Sequence, residues 1–372
     1  MKPLDIGIVS VVPSPYQRDI FQALAACDNL ILSVYYLEQQ SPDSPWPQAT
    51  LQPFEHILPG FWFSLGGARF HIVTKWPSLN RHQVIILNSL TSSLTQTYLR
   101  NRPPKQKAIF WAEPLRTQQT RIRRAIQSLL TSPINQADAI VAIGSWANAC
   151  YQEQFPTIPR FNIPYHCELG PFFQQPTVVD RTAAETVFLF CGQIIPRKGV
   201  DILIRSFDAL IRAGLPARLL LVGRRADLDR MLGLASPATR ERISYQGFVD
   251  PIDLPELFAK AHVFVLPSRH DGWGVVVNQA IAAGLPVICT DAVGAGLDLV
   301  KDGVNGFRIP ADDTERLIEA MKFFIEDRQS RSDFGAASRT LAEEWTPQRG
   351  AEKWLAVLRK VLVQDAHPAG VK

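Results

Sequence analysis

Two short stretches of this sequence combine glycines with cationic or polar side chains in a pattern suited to holding an anion. The first stretch, CGQIIPRKG, places Arg197 and Lys198 between Gly192 and Gly199, just before a helical pattern that starts near Val200. Cations beside the start of a helix add to the positive end of its dipole, so a phosphate is favoured there. Taken alone, these residues also fit a solvated loop with two ordinary surface charges.

The second stretch, DGWGVVVNQ, is a glycine-containing turn that opens onto a helical pattern. Its glycines permit a tight turn and a close approach of the backbone to a ligand. The first amide groups of the helix have no partner inside it and are free to bind a phosphate. The alternative is a buried structural turn whose polar side chains are satisfied by backbone groups. The candidate ligand-binding residues of this stretch are Asp271, Gly272, Trp273, Gly274, Val275 and Gln279.

The elements that position these stretches follow from the apolar pattern. Short continuous runs, such as VFLFC before the first stretch and HVFVL before the second, alternate with amphipathic helical patterns. Continuous runs are typical of strands buried on both faces, and the alternation predicts βαβ units in a parallel sheet. Loops that follow the strands of one parallel sheet meet at one edge, so we expect the two stretches to converge.

The predicted fold class is α/β, with two Rossmann-like domains that face each other across a cleft. Two series of strands are separated by the polar, proline-containing stretch 172–186. The predicted domains are residues 1–175 and 176–345, and residues 346–372 form a C-terminal helix and tail that cross back toward the first domain. Ligands of such sheets bind at the carboxyl ends of the strands.

The composition is that of an ordinary globular chain of 372 residues, 46% hydrophobic and 20% charged, with a net charge of +4. This balance is too weakly basic to argue for a nucleic-acid partner. The five cysteines form no CxxC pair, which predicts reduced thiols. No apolar run approaches the roughly 18–20 residues that span a bilayer. Pro13 and Pro15 end the first apolar run, which favours a first strand over a signal peptide, so we expect a cytoplasmic protein.

A basic run in the first half suggests a surface for anions. Residues 100–124 contain eight Lys or Arg and one acid, Glu113. In TRIRRAIQSLL, isoleucines and leucines fall on one side of a helix and Arg121, Arg123 and Arg124 on the other. This pattern predicts a face that lies on an anionic membrane. The alternative is a core-facing apolar stripe with a solvated basic face.

Other residue patterns argue against a metal site and against a dinucleotide-binding enzyme. The DLD at 227–229 resembles the DxD motif of metal-dependent nucleotide-sugar sites. Because arginines flank it in the sequence, we interpret its aspartates as members of local ion pairs. No HExxH or Cys/His cluster is present, so no metal site is predicted. No GxGxxG follows the first strand, which argues against an NAD-dependent dehydrogenase.

From residue 187 to residue 310 the sequence resembles the donor-binding half of family 4 of the retaining glycosyltransferases, which have the GT-B fold. The resemblance rests on the order and spacing of CGQIIPRKG, LLLVG, YQGFVD, LPELFAKAHVFVLPS, DGWGVVVNQAIAAGLPVICTD and VGAGLDLVKDGVNGFRIP. The first half is similar more loosely, through VVPSPYQRDIFQAL and ADAIVAIGSWANACYQEQF. The resemblance implies a first domain that binds an acceptor and a second domain that binds a nucleotide-sugar donor.

Carried over position by position, the resemblance implies a role for each cation and acid of the second domain. Lys198 would contact the donor diphosphate, with Arg197 beside it. Gln193 stands where the family usually has a phosphate-binding arginine after Gly192, so one cation of the usual pair is missing or comes from elsewhere. Asp271 would hold hydroxyls of the transferred sugar.

The remaining candidates follow in the same way. Gln279 replaces the glutamate that normally accepts both ribose hydroxyls, the backbone at Gly274 and Val275 would meet the β-phosphate, and Phe248 would border the base. An amide accepts with one end and donates with the other, so we expect a loss of roughly 1 kcal/mol in donor binding. Glu113, which ends the strand pattern AIFWA, is the candidate acceptor-side base or sugar contact; the alternative is an exposed or capping carboxylate. The candidate catalytic residues are therefore Asp271, Lys198 and Glu113.

The resemblance implies transfer of a sugar from a UDP- or GDP-linked donor to a saccharide or lipid-linked acceptor, with retention of anomeric configuration and without a metal or other cofactor. The expected location is the cytoplasm, with peripheral contact to the inner face of the membrane as a hypothesis. A sugar-nucleotide epimerase on a similar fold is one alternative. A non-catalytic nucleotide-sugar-binding protein is another, motivated by Gln193 and Gln279.

Overall fold

The structure is a computed structural model that describes residues 3–40, 46, 48, 50–65, 68–115, 120–175, 180 and 183–363, without the side chains at positions 122 and 123. Its contacts divide the chain into two compact units. Unit 1 comprises Met1–Cys167 with Pro347–Lys372, and unit 2 comprises Glu168–Thr346. The domain limits drawn from the sequence, with boundaries after residues 175 and 345, remain a prediction.

Unit 1 alternates strands and helices along the chain. Its elements are β1 (Leu4–Ser10), α1 (Pro15–Ala25), β2 (Leu30–Tyr36), β3 (Glu55–Ile57), β4 (Gly60–Leu65), β5 (Ala68–Val73), β6 (Val84–Leu87), α2 (Ser93–Asn101), β7 (Lys107–Ala112), α3 (Arg121–Thr131), β8 (Ala139–Ala142), α4 (Gly144–Gln154), β9 (Arg160–Asn162) and, from the end of the chain, a helix over Pro347–Val363. Seven strands form a parallel sheet in the order β3-β2-β1-β6-β7-β8-β9. The side chains of β6 and β7 are almost all buried, as their continuous apolar runs predict.

Unit 2 repeats this architecture. Its elements are α5 (Gly170–Gln174), β10 (Thr186–Cys191), α6 (Val200–Arg212), β11 (Ala217–Val222), α7 (Leu228–Leu232), α8 (Pro237–Arg240), β12 (Ile243–Tyr245), α9 (Leu254–Phe258), β13 (Val263–Leu266), α10 (Val276–Ala282), β14 (Val287–Thr290), α11 (Gly294–Leu299), β15 (Gly306–Ile309), α12 (Thr314–Glu326) and α13 (Arg328–Ala342); the terminal helix Pro347–Val363 is α14. Six parallel strands follow the order β12-β11-β10-β13-β14-β15. The predicted α/β class with two parallel sheets is confirmed.

The terminal helix α14 packs within unit 1. Trp354 and Leu358 are buried, and the Trp354 ring meets that of Trp111 edge to face at 5.4 Å between centroids. A Cβ at Gly350 would lie 2.4 Å from the Ile20 side chain, so glycine lets α14 approach α1 closely.

The strands β4 and β5 form a separate antiparallel ribbon in unit 1, which was not predicted from the sequence. The signal was present, because alternating Phe61, Phe63 and Leu65 precede a Gly-Gly pair, a pattern typical of a hairpin. The glycine pair itself lies outside the described residues.

The buried His166 makes the stability of unit 1 depend on pH. Its Nδ1 donates to the Pro164 carbonyl oxygen at 2.8 Å, and its Nε2 accepts from the ammonium of Lys353 on α14 at 3.1 Å. Both contacts suit a neutral imidazole. Burial, together with the Lys353 charge, lowers the pKa of His166 to about 4.

We expect the free energy of unfolding to fall by about 3 kcal/mol between pH 6.5 and pH 4 on account of His166. In this window the unfolded chain binds a proton at this position and the folded chain does not, so stability is lost as the pH drops. Denaturant unfolding at pH 7, 5.5 and 4 measures the slope, which His166→Gln should reduce. The exposed His56, changed to glutamine, is the matched control. An unaltered slope in His166→Gln would contradict the assignment.

Candidate functional site

The loop after β10 brings a cation to the carboxyl edge of the sheet of unit 2. A 3₁₀ turn over Pro196–Lys198 leads into Gly199, which has φ +69° and precedes α6. A Cβ at Gly199 would lie 1.8 Å from the carbonyl oxygen of Pro267, so only glycine lets the loop pack against the end of β13. This packing places Lys198 beside Gly192, whose ideal Cβ position is 4.0 Å from the lysine Cε.

Lys198 and Asp271 form the centre of this site. The lysine ammonium pairs with Oδ2 of Asp271, 73 positions later in the chain, and the two side chains are only 14% and 13% exposed. Gly274, with φ +88°, lies against the same carboxylate, because its ideal Cβ position is 3.3 Å from Asp271 Oδ2. The two glycine-containing stretches therefore meet, as the topology of a parallel sheet predicts. The roles carried over to their residues stay predictions.

The turn that carries Asp271 is fixed by its neighbours rather than by its own sequence alone. The Gly294 amide donates to the Asp271 carbonyl oxygen at 3.0 Å, and a Cβ at Gly294 would lie 2.2 Å from the Gly272 carbonyl oxygen. Trp273 is 1% exposed, and its Nε1 donates to Oδ1 of the buried Asn278 at 2.9 Å. Trp273 thus holds the turn from inside unit 2, and Asn278 is the internal partner of the indole.

Gln279, on α10, has a side-chain oxygen that accepts no hydrogen bond from the described residues. Its Oε1 is buried and has no hydrogen-bond partner within the described part of the chain. A buried acceptor without a donor is unfavourable, so this oxygen fits a donor supplied by a ligand, such as a hydroxyl. Among the described residues, the amides of Gly274 and Val275 at the start of α10 also form no backbone hydrogen bond.

Arg269 is a second cation of this region, and it connects two other segments of unit 2 through Asp201 and Asp312. Its guanidinium binds both carboxylate oxygens of Asp201 at 2.7 Å and Oδ1 of Asp312 at 2.7 Å. These hydrogen bonds lower the pKa of Asp201. Arg197 donates to the His270 carbonyl oxygen at 2.8 Å and is otherwise exposed. Arg269 was missed from the sequence, although a cation in the loop that follows the predicted strand HVFVL was a signal.

The loops after β10, β11 and β12 touch through glycines at the same edge. A Cβ at Gly223 would lie 1.8 Å from the Gly192 carbonyl oxygen, and the Gly223 amide donates to the Gly247 carbonyl oxygen at 2.7 Å. Phe248 follows at the end of this row and is 43% exposed. An exposed ring beside a glycine-lined backbone edge has a free face on which a planar ring can stack.

Unit 1 has its own cavity, of about 300 Å³, at the carboxyl ends of β1, β6 and β7. Its lining residues are Val11, Val12, Ser14, Tyr16, Gln17, Trp46, Asn88, Ala112, Glu113 and Tyr165. The mixture of rings, amides and a carboxylate suits a polyhydroxylated ligand, since amides and carboxylates bond hydroxyls and rings cover apolar faces.

Glu113 is held in this cavity by two tyrosines. The Tyr165 hydroxyl donates to Glu113 Oε1 at 3.3 Å, and the Tyr151 hydroxyl donates to the Glu113 carbonyl oxygen at 3.0 Å. Burial and the nearby Glu113 charge raise the pKa of Tyr165, so it remains a donor. Gln17 Nε2 lies 3.4 Å from both the Tyr165 hydroxyl and Asn88 Oδ1. Gln17, Asn88 and Tyr165 were missed from the sequence.

The helix α3 is largely exposed. Ile126 is 51% and Leu129 is 69% exposed, so the core-facing interpretation of this stripe is wrong for these two residues. Arg121 and Arg124 are exposed, whereas the side chain of Arg123 lies outside the described residues. No helix in the described part of the chain is long and apolar enough to span a bilayer.

The predicted local ion pairing of the DLD stretch is confirmed, because Arg225 binds Asp229 at 2.7 Å. The described residues contain no group of three metal-binding side chains from histidine, cysteine, aspartate or glutamate. Metal independence itself remains a prediction.

The chain is similar in sequence to known proteins, mainly through unit 2. Residues 175–341 match the family model described as glycosyl transferases group 1. The GDP-mannose-dependent monoacylated alpha-(1-6)-phosphatidylinositol monomannoside mannosyltransferase of Corynebacterium glutamicum is 25% identical over 60% of this chain and 62% of its own length. Against four curated relatives, the matching stretch spans between 31% and 62% of the relative's length.

Solved structures show the same fold over nearly the whole chain. The sucrose-phosphate synthase of Thermosynechococcus elongatus has a TM-score of 0.74 at 18% identity, covering 97% of this chain and all of its own. Anabaena Alr3699/HepE, solved in complex with UDP, has a TM-score of 0.73 at 16% identity, covering 96% of this chain and all of its own. Both likenesses extend over nearly the whole chain, which confirms the predicted GT-B fold.

Proposed function

We propose that this protein, whose residues 175–341 belong to the glycosyl transferases group 1, transfers a sugar from a nucleotide-diphosphate donor to an acceptor. The bond between the anomeric carbon and the β-phosphate oxygen breaks, and a bond from an acceptor hydroxyl oxygen to that carbon forms. The nucleoside diphosphate leaves, the proton of the acceptor hydroxyl passes to Glu113 or to the departing phosphate, and the anomeric configuration is retained. The donor is UDP- or GDP-linked, since one relative is named for GDP-mannose and one structural neighbour was solved with UDP.

The pairing of Lys198 with Asp271 is the observation that carries this proposal. Negative charge develops on the departing diphosphate, and a preorganised ammonium in a poorly hydrated site stabilises it strongly. Asp271 then holds hydroxyls of the transferred sugar, and the adjacent amides of Gly274 and Val275 meet the β-phosphate. Phe248 borders the base. Because Asp271 already aligns Lys198, little reorganisation is needed when the donor binds.

The cavity of unit 1 is the proposed acceptor site. Glu113, Asn88 and Gln17 offer hydrogen-bonding groups for the hydroxyls of a saccharide, and the rings of Tyr16 and Trp46, 5.7 Å apart, cover its apolar faces. Glu113 serves as the acceptor-side base or as a sugar contact. The acceptor is a glycan or a lipid-linked saccharide, the latter in keeping with the phosphatidylinositol monomannoside in the relative's name.

The proposed place of action is the cytoplasmic face of a membrane. The exposed side of α3 offers Arg121 and Arg124 next to Ile126 and Leu129, a combination that suits an anionic lipid surface. Arg123 belongs to the same proposed contact by sequence.

A thermal-shift screen against UDP-, GDP- and ADP-sugars, each with and without EDTA, tests the proposed function. One nucleotide series is expected to raise the unfolding temperature, and EDTA is expected to leave that shift unchanged. Incubation of the stabilising donor alone is the companion assay. A new sugar nucleotide formed without acceptor would indicate an epimerase, and tight binding without turnover toward any glycan or glycolipid would indicate a binding protein.

Changing Gln279→Glu is expected to tighten donor binding about fivefold to tenfold, equivalent to roughly 1 kcal/mol. A carboxylate accepts from two ribose hydroxyls, whereas the amide oxygen of Gln279 supplies one buried acceptor. Calorimetric titration with the matching nucleoside diphosphate and its 2′- and 3′-deoxy analogues measures the change. The gain should vanish with the deoxy analogues. An equal gain with every analogue would remove Gln279 from ribose recognition.

A further inference from the structure

The ribbon of β4 and β5 has two chemically different faces. Alternate residues of a strand point to opposite sides, so the cross-strand pairs sort the side chains. One face, here called the apolar ribbon face, consists of Phe61, Phe63, Leu65, Ala68, Phe70 and Ile72. On this face Phe61 is 57%, Phe63 44% and Leu65 67% exposed, and the rings of Phe63 and Phe70 stack at 5.5 Å between centroids.

The opposite face anchors the ribbon to unit 1. The Arg69 guanidinium lies 4.4 Å from the centre of the Trp62 ring and 3.3 Å from the carboxylate of the buried Glu38, which follows β2. His71 bonds the same carboxylate, and its amide donates to the Thr91 carbonyl oxygen at 3.0 Å. These contacts fix the ribbon so that the apolar ribbon face points away from the unit.

The chain around the ribbon is strongly basic. Residues 56–137 contain eleven Lys or Arg and one acid, Glu113, a net charge of +10 in a chain whose total is +4, and three of these cations, Arg69, Arg102 and Lys107, pair with Glu38 or Asp138 outside this segment. The rest of the chain therefore carries a net charge of −6. Lys75 and the 43%-exposed Trp76 directly follow β5. Tryptophan and basic side chains beside apolar groups are typical of proteins that sit at the interface of an anionic bilayer.

The ribbon and the exposed helix α3 contact one common helix. The Val73 amide at the end of β5 donates to the Ser93 hydroxyl at 3.0 Å, and Gln96, one turn further along α2, donates to the Leu130 carbonyl oxygen of α3 at 2.8 Å. Both exposed apolar surfaces therefore belong to elements that contact α2, within the basic segment 56–137.

We propose that the apolar ribbon face inserts into the headgroup region of an anionic lipid bilayer, with the neighbouring basic side chains bound to lipid phosphates. A second copy of the chain is a poorer occupant, because the three exposed side chains offer roughly 300 Å², well below the roughly 800 Å² per partner of a stable interface. A glycan is a poorer occupant too, because this face has no polar side chain for its hydroxyls. This inference does not rest on sugar transfer.

Cosedimentation with vesicles of phosphatidylcholine alone and with 30% phosphatidylglycerol, on the order of physiological anionic content, tests the proposal with the full-length protein. We expect at least tenfold stronger binding to the anionic vesicles. The variant Phe61→Ser/Phe63→Ser/Leu65→Ser should lower this binding about tenfold, and changing Arg121, Arg123 and Arg124 to glutamate should lower it as well. The matched control is Ile252→Ser/Val304→Ser, which alters two exposed apolar side chains of unit 2 and should bind as the parent does.

A second readout separates insertion from a change in folding. An environment-sensitive fluorophore on Leu65→Cys should shift to the blue with anionic vesicles, whereas the same label on Ile252→Cys should not. Circular dichroism and the unfolding temperature of the ribbon variant should match the parent, because the altered side chains are exposed. Undiminished vesicle binding by the ribbon variant overturns the proposal. A label on Leu65→Cys that does not shift with anionic vesicles also overturns the proposal. The proposal is overturned as well if the parent binds no vesicles and the ribbon variant loses self-association, because the occupant would then be a second copy of the chain.

Discussion

Replacing Lys198 by methionine is expected to lower kcat/KM for sugar transfer about 10³-fold, close to 4 kcal/mol of transition-state stabilisation. In the proposed mechanism the ammonium stabilises the departing diphosphate, and methionine keeps the length of the side chain without the charge. Its partner Asp271 sits in the same poorly exposed pair, so water replaces the lost charge incompletely. Steady-state transfer with saturating acceptor and varied donor measures the loss.

Because Lys198 pairs with Asp271, a second substitution at Asp271 provides the control for this prediction. Methionine at position 198 leaves the Asp271 carboxylate without its cation, which lowers stability as well as activity. Adding Asp271→Asn should restore the unfolding temperature but not the transfer rate. Recovery of both together would show that Lys198 serves only to hold the fold. Wild-type turnover in the single Lys198→Met variant would remove the lysine from the mechanism.

Changing Glu113→Gln is expected to lower kcat about 10²-fold while leaving donor binding unaltered. Glutamine has nearly the same shape but accepts no proton, so an acceptor hydroxyl loses its base or its strongest hydrogen-bond acceptor. Glu113 lies in unit 1, on the cavity proposed for the acceptor, whereas the residues proposed to bind the donor lie in unit 2. Transfer rates across a pH series, with a separate donor titration, distinguish the two roles: a base changes the pH profile of kcat, and a sugar contact raises the acceptor KM.

Tyr165→Phe provides the comparison for Glu113. It removes the hydrogen bond that the phenol donates to Glu113 and leaves the carboxylate in place, so only a severalfold loss is expected. A larger loss in Tyr165→Phe than in Glu113→Gln would mean that the phenol, not the carboxylate, serves the acceptor. A Glu113→Ala variant with undiminished turnover would exclude Glu113 from catalysis.

The sequence by itself determined the alternation of buried strands and helices in the two parallel sheets, but the ribbon of β4 and β5 was missed. Continuous apolar runs gave strands such as β10 and β13 because strands buried on both faces leave no room for alternation. Once those strands are parallel, the loops after them share an edge, which is why Lys198 and Asp271 could be expected to meet across 73 positions. Residues 175–341 match the family model of the group 1 glycosyl transferases, in agreement with the resemblance of those motifs.

Only the tertiary structure decided which side chains face each other and which apolar faces stay uncovered. Periodicity shows that α3 and the ribbon have an apolar side, but not whether another element covers it, and here Leu129 and Leu65 remain exposed. The same holds for polar partners: Asn278 satisfies Trp273, while the neighbouring Gln279 keeps a buried acceptor open. Such pairings depend on contacts between residues far apart in the chain, which local spacing does not encode.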